Sequence, residues 1–416
     1  MAFIYVYLFG VNVPFWDDWE LVPYFDKFYS GTLTCSDLFA QHSDHVMFFS
    51  RIFMLITGIL SKFNLITEMY CTLCLFLAGL IIIFIHIKTQ YNVSLTSFWL
   101  IPLSYLVFSW RQSELFLMGF NILFLLVYVF TITGFYSIYR LSALNRQGII
   151  YFISAMISGT IASFSGTMGL FIWPAGLIQI ILLPVKKTTT IFYGALWSAA
   201  GILEWILFFS KYHRPDTSPD IFYSFLRPLD VLHYFLICLG TSLFWDESTA
   251  IIWSVLVIIL FALCIFLLYK YKRLKENSFW LAISIFSLLT ILCISAGRAT
   301  LGMAQAFTSR YTIFSILTVI ALYCMFLDLL FYEKKRFIKI LAAFLFFIIF
   351  ISMPYSCSFG FRLGEFTRKE RTHMADILLT YEAHSDNDLK ILYDPDGVVR
   401  QRAHMLKKWG WNVFSR

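Results

Sequence analysis

Two adjacent carboxylates follow the first apolar stretch of the chain, in the motif Trp16-Asp17-Asp18-Trp19-Glu20. A carboxylate beside a membrane can act as a general base, because crowding and desolvation raise its pKa toward a useful value. Taken alone, the motif is more typical of a solvated turn whose tryptophans anchor the membrane interface. Asp17, and failing it Asp18, is therefore a candidate catalytic base only if other polar segments converge on it.

A second polar segment contains His42, Asp44 and His45 and is followed by Arg51. Two histidines and an aspartate at this spacing are potential metal ligands, potential partners for sugar hydroxyls, or caps for a helix beginning near Val46. We predict that these four residues bind substrate. A divalent metal here is the alternative that we do not favour.

Further polar groups lie near positions 112 and 300. Gln112 and Glu114 precede Gly119-Phe120, and a Phe164-Ser165 to Trp173-Pro174 segment interrupts two apolar runs. Arginines at a membrane surface bind phosphate well, because guanidinium matches phosphate oxygens in a bidentate manner, although snorkelling interface residues are an equal alternative. We predict phosphate binding by Arg298, Arg310 and Tyr311, and substrate contacts from Gln112, Glu114 and Ser309.

The composition of the chain indicates which kind of secondary structure positions these residues. Of 416 residues, 59% are hydrophobic and 14% are charged, with a mean hydropathy of +0.75. Soluble domains carry about 25% charged residues. In hydrocarbon every backbone polar group must be paired within the protein, so the apolar runs predict an all-α polytopic membrane protein. The net charge of +7 falls in short clusters between the runs, which argues against nucleic-acid binding.

About 20 apolar residues are needed to cross a bilayer as a helix. Counting a short first stretch, we predict about eleven transmembrane helices, near 2–13, 65–87, 95–110, 116–138, 149–166, 168–184, 190–210, 248–269, 278–296, 311–331 and 337–353. Lysine and arginine clusters in alternate loops predict a cytoplasmic N-terminus and a periplasmic C-terminus.

Other segments are apolar but interrupted, or change composition. Residues 45–61 and 229–246 predict interfacial helices. We divide the chain into a transmembrane domain, 1–357, with a first periplasmic loop at 14–64, and a small helical periplasmic tail, 358–416. The tail predicts a helix around 364–384, a turn at Asp394-Pro395-Asp396-Gly397, and a second helix to about Lys408.

The predicted spans contain few ionisable residues, chiefly Glu204 and Asp328. Ion-coupled transporters need charges near the middle of the membrane, so this scarcity argues against transport. The polar segments instead collect at the outer ends of the spans. Acidic, phosphate-binding and hydrogen-bonding groups on one face indicate group transfer from a lipid phosphate.

These segments, in this order, resemble polytopic glycosyltransferases of the GT-C fold that use polyprenyl-phosphate sugars. The resemblance covers nearly the whole chain: Asp17-Asp18-Trp19, His42-x-Asp44-His45 with Arg51, Gln112-x-Glu114, the 164–174 break, Gly297-Arg298 to Ser309-Arg310-Tyr311, and the tail with Leu406 and Phe414. It departs from the expected pattern at Asp44, where a longer Glu is usual, and in a clipped first span.

Size and tail most resemble the serotype-converting O-antigen glucosyltransferases encoded by phages of enteric bacteria. This resemblance implies an inner-membrane enzyme that transfers glucose, with inversion, from undecaprenyl-phosphate glucose to a lipid-linked O-antigen repeat at the periplasmic side. It implies that a donor-synthesising glycosyltransferase and a flippase act with it, and that no cofactor is needed. An O-antigen polymerase or ligase, and a lipid-linked sugar flippase or transporter, are the alternatives.

Overall fold

The computed structural model describes residues 2–91, 98–141, 144–215, 224, 226–333, 335–395 and 397–415. This part of the chain is almost entirely helical. Its only strands, Gln41–His42 and His45–Val46, form one antiparallel hairpin. The predicted all-α membrane protein is confirmed at this level.

The α-helices of the described residues are α1 (Ala2–Phe9), α2 (Val22–Tyr29), α3 (Cys35–Leu38), α4 (Phe48–Ser61), α5 (Leu65–Tyr91), α6 (Ile101–Val107), α7 (Ser113–Leu117), α8 (Ile122–Tyr139), α9 (Arg146–Ser163), α10 (Ile172–Leu182), α11 (Lys187–Phe209), α12 (Pro228–Gly240), α13 (Glu247–Lys270), α14 (Ser278–Arg298), α15 (Thr312–Glu333), α16 (Arg336–Leu379), α17 (Asp386–Leu389) and α18 (Val398–Trp409). Short 3₁₀ helices occupy Trp16–Leu21, Phe98–Leu100, Trp110–Gln112, Gly119–Asn121, Thr167–Phe171, Ala299–Leu301, Met303–Phe307, Ser309–Tyr311, Tyr381–Ala383 and Asn412–Phe414.

Within the described residues, seven helical segments are long and apolar enough to cross a membrane: Leu65–Tyr91, Gly119–Tyr139, Lys187–Phe209, Glu247–Lys270, Ser278–Leu301, Ser309–Glu333 and Arg336–Leu379. The other predicted spans hold shorter or less apolar helices. Helix α1 has 8 residues and α6 has 7, and α9 and α10 are not among the seven. Part of the predicted span 95–110 lies outside the described residues. The total of about eleven spans therefore stays a prediction.

The centre of the bundle is helix α15. Every residue of its apolar stretch is buried, and it packs against α6, α12, α13, α14 and α16. A helix that is apolar on all sides belongs inside a bundle rather than at the lipid surface. Its first residues directly follow the 3₁₀ turn Ser309–Tyr311, so this central helix fixes the position of Arg310.

Helix α16 corrects one prediction. The predicted last span and the predicted tail helix form one helix of 44 residues that contains Pro354. The predicted domain boundary at 357/358 therefore falls inside a helix. A proline within a membrane helix is tolerated when neighbouring groups compensate the freed backbone. Close packing supports the next turns: Tyr5 donates a 2.9 Å hydrogen bond to the Gly360 carbonyl, and a Cβ at Gly364 would lie 2.5 Å from the Phe9 ring.

The described residues near position 412 pack against the segment 12–63. The Asn412 amide donates to Asn12 Oδ1 at 2.9 Å and to the Phe63 carbonyl at 2.8 Å, and the Asn412 backbone N–H donates to the Lys62 carbonyl. Helix α18 confirms the predicted second tail helix. Helix α4 covers residues 48–61 of the helix predicted at 45–61, whose first two residues form a strand instead, and α12 covers residues 229–240 of the helix predicted at 229–246. Their position at the membrane interface stays a prediction. One residue of the predicted turn at 394–397, Asp396, lies outside the described residues.

Candidate active site

The two adjacent carboxylates point in different directions from the 3₁₀ helix Trp16–Leu21. Asp18 is 1% exposed, and its two carboxylate oxygens accept hydrogen bonds from the backbone N–H groups of Phe15, at 3.1 Å, and Phe120, at 2.9 Å. The Asp17 side chain is 37% exposed, and its Oδ1 lies 3.5 Å from His42 Nε2. Asp18 therefore ties the first loop to the start of α8, whereas Asp17 is open to a ligand.

The two carboxyl groups also differ in the direction in which their surroundings shift the pKa. Burial raises the pKa of Asp18 to about 6, against the opposing hydrogen bond from Phe15 and the charge of Arg371. Burial also raises the pKa of Asp17, but the hydrogen bond and charge of His42 and the charge of Arg310 outweigh it, so that the pKa of Asp17 is below its ordinary value. Asp17 is thus a carboxylate at neutral pH and can accept a proton. The raised pKa that we expected for the base is found at the buried Asp18 instead.

The hairpin that follows presents two histidines to this carboxylate. Its register pairs His42 with His45, and directly paired residues of a hairpin project from the same face. Ser43 has a φ of 48°, the left-handed conformation that a tight two-residue turn requires. Both imidazole rings line one cavity with Asp17, and the His42 ring lies 5.0 Å from that of Phe120.

His45 is held in one orientation by the 3₁₀ turn after α9. The backbone N–H of Thr167 donates to His45 Nδ1 at 3.3 Å, and Thr167 Oγ1 lies 2.9 Å from the same nitrogen. The Thr167 hydroxyl in turn donates to the Asp44 carbonyl, so Thr167 fixes both residues at this end of the hairpin. Burial lowers the pKa of His45 to about 4, against the opposing charge of Asp44. His45 is therefore neutral at physiological pH.

Two arginines, Arg298 and Arg310, form a cationic wall of the same cavity. Arg298 ends helix α14, and Arg310 lies in the turn before α15. Their guanidinium carbons lie 5.8 and 5.4 Å from the centroid of the Tyr311 ring. Arg298 also reaches Asp44, with 3.7 Å between NH2 and Oδ2, and Asp44 accepts a 3.0 Å hydrogen bond from Tyr212. Two guanidinium groups around one aromatic ring suit the recognition of a phosphate.

Glu114 and Ser309 hold the backbone of this arginine wall. Glu114 Oε2 accepts a hydrogen bond from the Arg310 backbone N–H at 3.1 Å, and the Glu114 backbone N–H donates to Ser309 Oγ at 3.0 Å. These contacts join α7 to the turn before α15. Both residues lie beside the cavity and position Arg310.

Arg51 and Gln112 are engaged with backbone rather than with the cavity. Arg51 NH1 donates to the carbonyl oxygens of Asp37, Leu38 and Ala40, at 3.2, 2.5 and 2.8 Å, and so shapes the loop before the hairpin. Gln112 is fully buried and donates to the Val107 carbonyl at 2.8 Å. Their predicted role in substrate binding stays a prediction.

Two cavities meet at this place. A polar one of about 60 Å³ is lined by Asp17, His42, His45, Arg298, Arg310 and Tyr311, with Ser43 and Asn121 and apolar groups of α8. A mainly apolar one of about 320 Å³ shares His45 and Arg298 with it and extends along Met168, Phe171, Phe209 and Ile294. The arrangement can hold an anionic group at the arginines with an apolar chain beside it.

Some neighbours of the site escaped the sequence analysis. Tyr212 carries no motif, and burial raises its pKa to about 12, so it stays a neutral donor to Asp44. Arg371, on the predicted tail helix, is buried beneath the site, where it donates to the Leu117 carbonyl and lies 4.7 Å from the Phe15 ring. The one signal for Arg371 in the sequence would have been a cation on the buried face of an amphipathic helix.

Across the part of the chain that the structure describes, no three His, Cys, Asp or Glu side chains gather as a metal site. His42 and His45 instead contact Asp17, Thr167 and aromatic rings.

The chain has a distant relative among curated proteins. It is 27% identical over 207 residues to an uncharacterized protein of Archaeoglobus fulgidus, which covers 45% of this chain and 51% of the relative. The chain thus matches about half the length of that protein. No protein-family model matches the chain, and no solved structure matches it.

Proposed function

We propose that this protein is a membrane glycosyltransferase that moves a hexose from a polyprenyl phosphate to an acceptor glycan at the outer surface of the membrane. One observation carries the proposal: an ionised carboxylate, Asp17, and two arginines, Arg298 and Arg310, line the same small polar cavity, which shares His45 and Arg298 with a larger, mainly apolar one. An inverting displacement needs a base and a phosphate site that reach the same bound sugar.

The apolar cavity supports a lipid-linked donor in particular. Met168, Phe171, Phe209 and Ile294 give it an apolar side that suits the first isoprene units of a prenyl chain. Polar groups, among them Tyr212, Arg214 and Arg298, line the same cavity and suit the phosphate and sugar of the donor. In this arrangement the phosphate lies at Arg298, where the two cavities meet.

The proposed reaction is a single displacement. The acceptor hydroxyl oxygen forms a bond to the anomeric carbon as its proton passes to the Asp17 carboxylate. The bond between the anomeric carbon and the phosphate oxygen breaks on the opposite face, and the electron pair leaves with polyprenyl phosphate. Arg298 and Arg310 stabilise the growing charge on the phosphate, and the neutral His45 ring makes a hydrogen bond to the sugar. Asp17 then returns its proton to water.

We further propose glucose as the sugar, undecaprenyl phosphate as the carrier and the O-antigen repeat as the acceptor, in the inner membrane of a bacterium. This assignment rests on the resemblance to the serotype-converting glucosyltransferases. It implies that a donor-synthesising glycosyltransferase and a flippase supply the donor at the outer face.

The test is structural analysis of O-antigen from an enteric strain that synthesises and flips undecaprenyl-phosphate glucose, with and without this protein. We expect a new branching hexose, detected by NMR and mass spectrometry of the purified polysaccharide. Asp17→Asn, expressed at the wild-type level, should add none, because a positioned base supplies about 100- to 10,000-fold of rate.

An unchanged O-antigen with wild-type protein present would contradict this acceptor. Purified protein that also transfers no labelled glucose from the lipid donor would remove glucosyl transfer itself. Movement of labelled lipid across vesicles without transfer would favour a flippase instead.

A further inference from the structure

The two tryptophans that flank the acidic pair behave in opposite ways. Trp19 is fully buried, whereas the Trp16 side chain is 59% exposed. Trp16 also has a φ of +51°, in the left-handed region, which is an outlier for a bulky residue. The backbone thus holds a large apolar ring outward in a conformation that such residues avoid, and strain of this kind concentrates at functional sites.

The tail fixes this conformation. The Trp16 backbone N–H donates to the carbonyl of Leu392 at 3.4 Å, and the next residue of the tail, Tyr393, donates to Glu20 at 2.8 Å. The loop is therefore held on both sides of Asp17 by one segment near the end of the chain.

Trp16 lies next to a polar part of the chain. The tail segment that contacts it belongs to a region with exposed ion pairs, Arg400 with Asp386 at 2.7 Å and Lys407 with Glu382 at 2.8 Å. The centroid of the Phe15 ring lies 5.9 Å from that of Trp16, and the rest of the indole is exposed. An exposed indole beside polar groups suits a ligand that is itself part polar and part apolar.

We propose that Trp16 is a stacking platform for a pyranose ring of the acceptor glycan. The inference rests on the glycosyltransferase function proposed above and identifies where its second substrate binds. The donor phosphate is assigned to the arginine wall, so the acceptor needs a binding surface of its own next to Asp17. Trp16 is exposed, is not among the residues that line the cavity with the arginines, and is one residue from Asp17, with consecutive Cα atoms about 3.8 Å apart.

The chemistry of the ring suits this role. The apolar C–H face of a pyranose packs on an indole, while its hydroxyl groups project from the edge and stay free for hydrogen bonds. A ring stacked on Trp16 would extend one hydroxyl toward the Asp17 carboxylate. Because stacking tolerates different substituents, the platform would fix the distance of the acceptor, and other contacts would select its identity.

The experiment compares Trp16→Ala and Trp16→Phe with Phe28→Ala in purified protein. Phe28 is another exposed aromatic residue of the same loop and lies outside the site. Two reactions are measured with undecaprenyl-phosphate glucose: transfer to an undecaprenyl-diphosphate-linked O-antigen repeat at varied concentration, and release of free glucose to water without acceptor. We expect Trp16→Ala to raise the acceptor KM by about tenfold or more, with a much smaller effect on glucose release.

Trp16→Phe, which keeps an aromatic face, should recover most of the acceptor affinity, and Phe28→Ala should match wild type.

An unchanged acceptor KM in Trp16→Ala, with wild-type transfer present, would overturn the platform and leave the proposed function standing. An equal loss of transfer and glucose release would also overturn it, because Trp16 would then act through Asp17. If the wild-type protein performs neither reaction, the proposed function falls, and the platform falls with it. If Trp16→Ala folds poorly, the acceptor KM of Trp16→Phe is compared with that of Trp16→Leu. Both variants keep a large apolar side chain, and only phenylalanine has an aromatic face, so this comparison decides.

Discussion

The Glu20 carboxylate accepts a 2.7 Å hydrogen bond from the guanidinium of Arg402, 382 residues later in the chain. Tyr393 donates to the same oxygen at 2.8 Å. Glu20 lies three residues after Asp17, so the tail is hydrogen-bonded to the loop that carries the candidate base. A charge-assisted hydrogen bond of this kind stabilises by about 1.5–3 kcal/mol. The tail is thereby part of the architecture of the site.

The first prediction concerns this contact. Arg402→Ala should lower sugar transfer by about tenfold or more, because the 3₁₀ helix Trp16–Leu21 loses its charged anchor and Asp17 moves relative to the arginine wall. The control is Arg400→Ala, which removes the Asp386 ion pair within the tail and should change transfer by less than about twofold. Equal activity of the two variants would show that the contact between Arg402 and Glu20 has no role in positioning Asp17.

A second prediction separates the two acidic residues. Asp17→Asn should abolish transfer and leave thermal stability unchanged, because the Asp17 side chain is partly exposed and bears no structural hydrogen bond to the backbone. Asp18→Asn should lower stability by about 1–3 kcal/mol, because one of the backbone N–H groups of Phe15 and Phe120 then faces an amide nitrogen. Thermal unfolding in detergent, measured beside transfer, distinguishes them. The reverse pattern would make Asp18 the base.

The third prediction is a shift in pH dependence. Transfer requires ionised Asp17, so kcat/KM falls as the pH drops through the pKa of Asp17. That pKa is held low by the hydrogen bond and charge of His42, against burial, which raises it. His42→Ala removes the lowering contribution, so the acidic limb of the profile should move to higher pH. His233→Ala, at an exposed pair with Glu247 elsewhere in the chain, is the control. A limb that stays in place would remove His42 as the partner that sets the pKa of Asp17.

The fourth prediction tests the support of His45. A Cβ at Gly169 would lie 1.9 Å from the Ala162 carbonyl oxygen, so Gly169→Ala must displace the turn that carries Thr167. We expect a loss of about 1–3 kcal/mol in stability and reduced transfer. At Gly194 the nearest atom to an added Cβ is 3.7 Å away, an ordinary contact, so Gly194→Ala should resemble wild type. Thermal unfolding and transfer assays on the pair check both expectations. Wild-type behaviour of Gly169→Ala would mean that α9 and the turn can separate freely.

The class of the protein could be predicted from its amino-acid sequence. Apolar runs of about 20 residues require helices, since a backbone in hydrocarbon has no water to bond, and the structure contains such helices where the longest runs lie. The shorter runs were ambiguous, because length and hydropathy do not separate a short span from a buried helix. The single helix α16 was missed for a related reason: Pro354 and the change to polar composition looked like an end, although close packing against α1 continues the helix.

Which polar residues lie close together could not be predicted from the sequence, because it depends on how the helices pack. Asp17 and Asp18 are neighbours in sequence, yet one lines the cavity and the other is buried, because side-chain direction depends on backbone angles such as the φ of Trp16. Contacts such as Asp18 with Phe120, or Glu20 with Arg402, join residues 102 and 382 positions apart. No local pattern encodes such pairs, since they arise from how the helices pack, and packing brings the candidate base and the arginine wall to one cavity.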